Sequence, residues 1–162
     1  MGFIPKDGKW YLADIVEEVR VEGDRRNVVH TNRTLIRADS PGEAYKKAVA
    51  LGKHGNTKYK NPEGKTVTIK FRGLRELDVI HEELEDGAEI SFTREVAVTE
   101  RAIKDQIPPK RVLSVFAPIK PHGGPDYGSA EVIREVYRRQ PSLQGIRGPG
   151  YSKPRKRGRP KA

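Results

Sequence analysis

Residues 40–52, Ser40-Pro41-Gly42-Glu43-Ala44-Tyr45-Lys46-Lys47-Ala48-Val49-Ala50-Leu51-Gly52, fix the architecture of this chain more firmly than any other stretch. Ser40 can accept a hydrogen bond from the backbone N–H of Glu43, and the Glu43 carboxylate can reach back to the N–H of Ser40. Pro41 occupies the first helical position, where its missing N–H costs nothing. Ala44, Tyr45, Ala48 and Leu51 then recur at helical spacing, and Gly52 offers a left-handed stop. The spacing predicts a helix of about three turns.

Strand patterns lie on both sides of this helix. In residues 10–22, Tyr11, Ala13, Ile15, Val19 and Val21 share one face at period two, with Glu17 as the exception. The polar interruption at 23–26 and the β-rich run at 27–38 make a hairpin. Arg33 falls between Thr31 and Leu35, so the inward face of that second run stays open. After the helix, residues 53–65 read as a polar loop with turn chemistry at Asn61-Pro62-Glu63-Gly64. Val67, Ile69 and Phe71 alternate with polar residues, and Gly73 marks a bulge before Leu77, Val79 and Ile80. Beyond the Asp86-Gly87 turn, Ile90, Phe92, Val96 and Val98 predict a further strand, with Arg94 breaking its stripe. The order strand–strand–helix–strand–strand predicts an α+β fold: a small antiparallel sheet with one helix packed on it.

The remainder is sparser. Thr99 can cap a short helix through Ile107, which Pro108-Pro109 must end. Residues 112–116 are a brief apolar run, either an edge strand or a covering segment. The expected organisation is an α+β domain over 1–117, a Pro/Gly linker over 118–128, a short amphipathic C-terminal helix over 129–140 with Val132, Ile133, Val136 and Tyr137 on one stripe, and a disordered basic tail over 141–162. Trp10, Tyr45, Phe71 and Phe92 sit on alternating or helical stripes and read as core anchors rather than a base-stacking platform.

Charge locates the functional lead. Residues 1–117 carry 21 Lys+Arg and 19 Asp+Glu, residues 118–144 carry 4 and 3, and residues 145–162 carry 7 and none. A nearly neutral body thus bears a cationic tail, unlike a globule whose folded surface is basic throughout. The chain has no cysteine, which excludes disulfides, thiol nucleophiles and cysteine-ligated metals. No apolar run approaches the roughly 18 residues of a membrane span, and Met1 to Lys6 lack the apolar core of a secretory signal. The expected location is the cytoplasm, with association to the nucleoid, and no membrane contact.

Catalytic constellations are lacking. His30, His54, His81 and His122 are well separated, and the position four after His81 is Glu85, so a metalloprotease helix is excluded. Asp78, Glu82, Glu83, Glu85 and Asp86 could hold Mg²⁺ for a nuclease, but a solvated acidic turn explains them more simply. The basic loop residues Lys53, His54, Lys58, Lys60 and Lys65 could meet nucleic acid, though lysine is mostly solvated in any protein. The sequence therefore predicts no enzyme, no cofactor and no metal.

Two resemblances add to these readings. Trp10-Tyr11, Glu43-Ala44-Tyr45 with Ala48, the phrase Tyr59-Lys60-Asn61-Pro62-Glu63-Gly64-Lys65-Thr66-Val67, then Phe71-Arg72-Gly73-Leu74 and Leu84-Glu85-Asp86-Gly87-Ala88-Glu89-Ile90 occur in order. Over about residues 10–95 this pattern resembles the bacterial family named domain of unknown function 4288. The resemblance implies a small α+β bacterial domain and brings no assigned activity. In the tail, Arg157-Gly158-Arg159-Pro160, flanked by Lys156 and Lys161, resembles an AT-hook, with Lys156 where the motif often has proline. That resemblance implies that Arg157 and Arg159 lie along the floor of a DNA minor groove, extended in opposite directions from Gly158.

The chemistry suits these residue types. An A·T tract is narrow and strongly negative, which attracts guanidinium groups, whereas the exocyclic amine of G·C obstructs a closely seated chain. Gly158 permits close approach and Pro160 restricts the backbone. Lys153, Arg155, Lys156 and Lys161 would contact phosphates, which gives affinity without sequence information. The expectation is a noncatalytic, DNA-associated protein whose tail prefers A·T-rich minor grooves, with a protein partner for the body. The alternatives are a protein-interaction or regulatory module with a nonspecific polyanion-binding tail and, third, a metal-dependent nucleic-acid enzyme.

Overall fold

A computed structural model of the chain describes residues 9–117 and 123–141. Four strands, β1 (Trp10–Val21), β2 (Asn27–Arg37), β3 (Thr57–Lys60) and β4 (Thr66–Val79), form one antiparallel sheet in the order β2-β1-β4-β3. The helices are α1 (Pro41–His54), α2 (Glu100–Asp105) and α3 (Ala130–Arg139). The fold is α+β, and strand–strand–helix–strand–strand is its opening order. Contacts divide the described residues into unit 1 (residues 9–18, 29–56 and 69–117) and unit 2 (residues 19–28, 57–68 and 123–141), with β1 and β4 contributing to both.

The same order arises from different strands than the alternation predicts. The third strand, β3, lies inside the stretch read as a polar loop. Its residues, Thr-Lys-Tyr-Lys, carry no apolar alternation; the turn at Asn61–Lys65 sets it against β4, where Asn61 N–H donates to Lys65 O at 3.0 Å. The strand expected around Ile90–Val98 does not form. Residues 90–98 are irregular, with Ile90, Phe92 and Val96 exposed. Val112–Phe116 likewise forms neither strand nor cover. Residues 110–112 make a 3-10 turn and Phe116 N–H donates to Leu113 O at 2.8 Å, leaving Val115 80% exposed.

In unit 1 the inward face of β1 is the predicted one, and Tyr11, Ala13 and Ile15 are buried with Ile36 and Ala38 against Ala44 and Ala48 of α1. Even-numbered positions of β2 face inward, so Arg33 points outward and lies 3.5 Å from Asp14. Ser40 Oγ accepts from Glu43 N–H at 3.2 Å as expected, but the Glu43 carboxylate accepts from the N–H of Asp39, at 2.9 Å, rather than from Ser40.

Gly52 does not stop the helix, which runs to His54 and is capped at Gly55. A Cβ on Gly52 would lie 2.3 Å from the Phe71 ring, so glycine is there to admit that ring. The buried stripe of α1 is thus Ala44, Ala48 and Gly52, three small side chains four residues apart that let helix and sheet approach closely. Tyr45, expected as a core anchor, lies off this stripe and is 57% exposed; Phe92 is 72% exposed. Trp10 is half-buried beneath the Arg37 guanidinium, 6.0 Å from its ring centroid.

The bulge expected at Gly73 takes a specific form. Glu22 N–H donates to Thr66 O near one end of β1, and Ile80 N–H donates to Trp10 O near the other. Between these bonds the β4 side advances 14 residues and the β1 side 12. The inward side chains slip phase twice, from Phe71 to Leu74 and from Leu74 to Leu77, which absorbs the two extra residues. Gly73 sits at the first slip with φ of 147°, a conformation that side chains disfavour.

Candidate functional site

The residues singled out for DNA contact, Arg157, Gly158, Arg159, Pro160, Lys153, Arg155, Lys156 and Lys161, lie outside the described residues. The structure does describe the segment that precedes them in unit 2. Arg26 Nη1 donates to Gly123 O at 3.0 Å, and Pro125 is buried. Asn61 Nδ2 donates to Asp126 O at 2.8 Å, and the Tyr59 hydroxyl donates to Tyr127 O. Ser129 then caps α3 by accepting from Val132 N–H at 3.3 Å.

Asn61 connects two jobs. Its Oδ1 accepts from Glu63 N–H at 3.0 Å and Lys65 N–H at 2.9 Å, which closes the predicted turn. Its amide nitrogen faces the 123–128 segment, so a residue 2% exposed has both ends satisfied. The turn was legible in sequence; the second contact spans 65 residues and had no local signal.

Unit 2 is also where cations collect. Its described residues hold 9 Lys+Arg and 6 Asp+Glu, against 14 and 15 among those of unit 1. Several described cations are already neutralised. Lys65 lies 2.8 Å from Glu63, Arg138 and Arg139 each lie 2.7 Å from Glu135, and Arg26 lies 2.8 Å from Asp24. Hydrogen bonds from Arg26 hold the Asp24 carboxyl down at about 2. Lys60 Nζ donates to Thr66 Oγ1 at 2.8 Å. Lys53 and His54 belong to the last turn of α1, in unit 1.

Unit 1 contains a cleft of about 570 Å³ at the end of β4. Tyr11, Pro41, Leu77, Val79, Ile90 and Phe92 supply its apolar lining. Asp78, His81, Glu82, Glu89 and Ser91 complete the lining, Asp78 being exposed and alternating with the inward Leu77 and Val79. The 82–89 wall is fastened by Glu89 N–H donating to Glu82 Oε2 at 2.9 Å. Of the acidic cluster read from sequence, only Asp78 and Glu82 reach the cleft; Glu83, Glu85 and Asp86 do not line it. Among the described residues no three His, Asp or Glu side chains converge as metal ligands would.

Two residues of this lining stand in unusual surroundings. Desolvation, with the negative charges of Glu76 and Asp14, pushes the Asp78 carboxyl above its usual range. Tyr11 is 2% exposed, and its hydroxyl is the one buried side-chain polar atom without a hydrogen-bond partner among the described residues. A buried hydroxyl left so costs about 1–3 kcal/mol. Sequence reasoning placed Tyr11 in the core by its period and passed over its hydroxyl. The available signal was that a buried tyrosine ordinarily needs a partner for its O–H.

Among the described residues no helix is long and apolar enough to cross a membrane. No curated protein and no solved structure matches this chain. Residues 10–91 match the family described as Domain of unknown function (DUF4288); these residues span β1 to β4 and the near wall of the cleft, about half of the chain, and the chain belongs to that family.

Proposed function

We propose that this chain is a noncatalytic, DNA-associated bacterial protein of the cytoplasm, working at the nucleoid, and that its C-terminal residues contact A·T-rich minor grooves. The observation that carries this reading is the partition of charge along the sequence: 7 Lys+Arg and no Asp+Glu over residues 145–162, beside 21 and 19 over residues 1–117. Arg157 and Arg159 flank Gly158 in the arrangement a narrow groove accepts, with Pro160 limiting the backbone. Lys153, Arg155, Lys156 and Lys161 meet phosphates. The anchoring of residues 123–127 by Arg26, Asn61 and Tyr59 supports the reading, because it ties the chain leading to these residues to folded structure.

Duplex titrations of the full chain and of a chain ending at Gln144, each at two salt concentrations, test the proposal. About five phosphate contacts give a log–log salt slope near −4.5 for the full chain. Truncation should abolish that slope, and Arg157→Ala with Arg159→Ala should erase the preference for A·T over G·C duplexes. Lys153→Ala should weaken all duplexes alike. Unchanged binding after truncation would move the contact to the body and reject the reading. A second reading, a protein-interaction module with a general polyanion-binding tail, is favoured by the exposed apolar side chains of Phe92, Val96, Ile107 and Val115 in unit 1. Equal affinity for both duplex compositions selects it.

A further inference from the structure

We propose that the outer edge of β2 is a pairing surface for a second copy of this chain, antiparallel and two-fold symmetric about Asn32. β2 and β3 are the two edges of the sheet. β3 has four residues, two of them lysines, which is how an edge is ordinarily blunted. β2 has 11 residues with no lysine and no proline. Its two arginines lean back over β1: Arg33 lies 3.5 Å from Asp14, and the Arg37 guanidinium stands 6.0 Å from the Trp10 ring centroid. The long edge is therefore the one left without a guard against pairing.

The register of β2 on β1 decides which backbone groups this edge presents. Ala38 N–H donates to Lys9 O at 2.9 Å, so the even-numbered residues of β2 bond to β1. The N–H and C=O groups of Val29, Thr31, Arg33, Leu35 and Arg37 point away from it. Lys47 Nζ donates to Arg37 O at 2.9 Å, in keeping with that direction, and closes the C-terminal end of the edge. Antiparallel pairing about Asn32 sets Val29 opposite Leu35 of the second copy and Thr31 opposite its Arg33, each pair formed twice. Val29 and Leu35 are 57% and 46% exposed, so both apolar pairs form from side chains now largely in water. A centre at Arg33 would set two arginines directly opposite, and a centre at Thr31 would set Arg33 against Val29. The edge is thus self-complementary in one register. Beside it, a groove of about 520 Å³ runs between β2 and α1 along Leu35, Ile36, Ala50 and Leu51, and an added strand would cover it.

Sedimentation equilibrium of the full-length, nucleic-acid-free protein over a wide concentration series tests this, at high salt so that long-range charge is screened. The mass should rise reversibly from one chain to two and stop there, because an isologous contact closes on itself. Leu35→Lys should weaken the dimer about tenfold, since the symmetry removes two apolar pairs at once. Thr31→Pro deletes an outward N–H that β1 does not use, so it should weaken the dimer at least as much and leave the circular dichroism of the monomer unchanged. The chain has no cysteine, so single cysteines can read the register. Asn32→Cys should give a disulfide-linked dimer on mild oxidation, because residues facing across the two-fold have Cα atoms about 4.5 Å apart. Leu35→Cys, about 20 Å from its counterpart, should not. Should Thr31→Pro fail to fold, Leu35→Lys and the two cysteine variants still decide. A dimer indifferent to Leu35→Lys, or cross-linking through Leu35→Cys in preference to Asn32→Cys, would overturn the proposal. So would a single-chain mass at every concentration, which would leave the edge to an extended peptide of another protein.

Discussion

In unit 1, Tyr11, Ala13, Ile15, Ile36, Ala38, Ala44 and Ala48 close on one another, and the helix meets the sheet through small side chains over the Phe71 ring. Among the described residues of unit 2, Val19, Val21 and Val67 are the buried hydrophobic side chains of the core, and Asn61, Tyr59 and Arg26 hold the 123–127 segment by hydrogen bonds. The described residues of the units also differ in charge, 14 Lys+Arg to 15 Asp+Glu in unit 1 and 9 to 6 in unit 2. The difference teaches that packing and anchoring are separate devices here. Apolar burial stabilises in proportion to area and needs little directional precision. An anchored segment needs particular donors at particular carbonyls, and a single deletion can release it.

The contrast breaks most visibly at Asn61. Asn61→Ala removes the acceptor for Glu63 and Lys65 N–H and the donor to Asp126 O together. Leaving these groups unpaired should cost about 3 kcal/mol, read as a lower urea midpoint. Amide hydrogen exchange should accelerate over residues 58–68 and 123–139, whereas amides of α1 should keep their protection. Equal acceleration in α1 would mean that the two devices are one.

Legibility in the sequence followed the same division. The α1 cap, the inward face of β1 and the caps of α2 and α3 rest on neighbours a few residues apart, and they were readable. Thr99 and Ser129 each accept the N–H three residues on, as their positions implied. The strand β3 was not readable, because it is ordered by its turn and its partner strand rather than by its own alternation. The apolar run at 90–98 misled for the opposite reason: its pattern is that of a strand, but it pairs with none and stays irregular. Gly52 also misled, since a glycine near a helix end reads as a stop, and its true cause is an aromatic ring 19 residues away in sequence. In the cleft, Asp78 and Glu82 were noticed as charges, while Tyr11 was hidden by its correct assignment to the core.

Gly52→Ala tests the packing side of the comparison. Alanine raises intrinsic helix stability by about 1 kcal/mol, yet its Cβ would overlap Phe71. Overpacking should win and the protein should lose about 2 kcal/mol on urea unfolding. Phe71→Leu should recover part of that loss when combined with Gly52→Ala, because the clash is with the ring. Here exchange should rise in α1 and leave residues 123–139 as they are. A gain in stability from Gly52→Ala alone would show that the ring can move aside and that unit 1 tolerates looser packing.

Tyr59→Phe gives the smallest change and the sharpest view of anchoring, because it removes one O–H and keeps the ring. The lost donor to Tyr127 O should cost about 1 kcal/mol near neutrality. Burial, with the charges of Tyr127 and Asp126, pushes the Tyr59 phenol above the ordinary 10.0. An acid whose folded value is raised contributes stability that is whole below its unfolded value and declines as pH rises from there toward the folded one. The parent protein should therefore lose part of its stability as the solution is taken above about pH 10, the unperturbed tyrosine value. In Tyr59→Phe that portion of the alkaline decline should be absent, so the two stability profiles should converge as pH rises. Parallel profiles would show that the phenol gives unit 2 no proton-linked anchoring, leaving Asn61 and Arg26 to hold the segment.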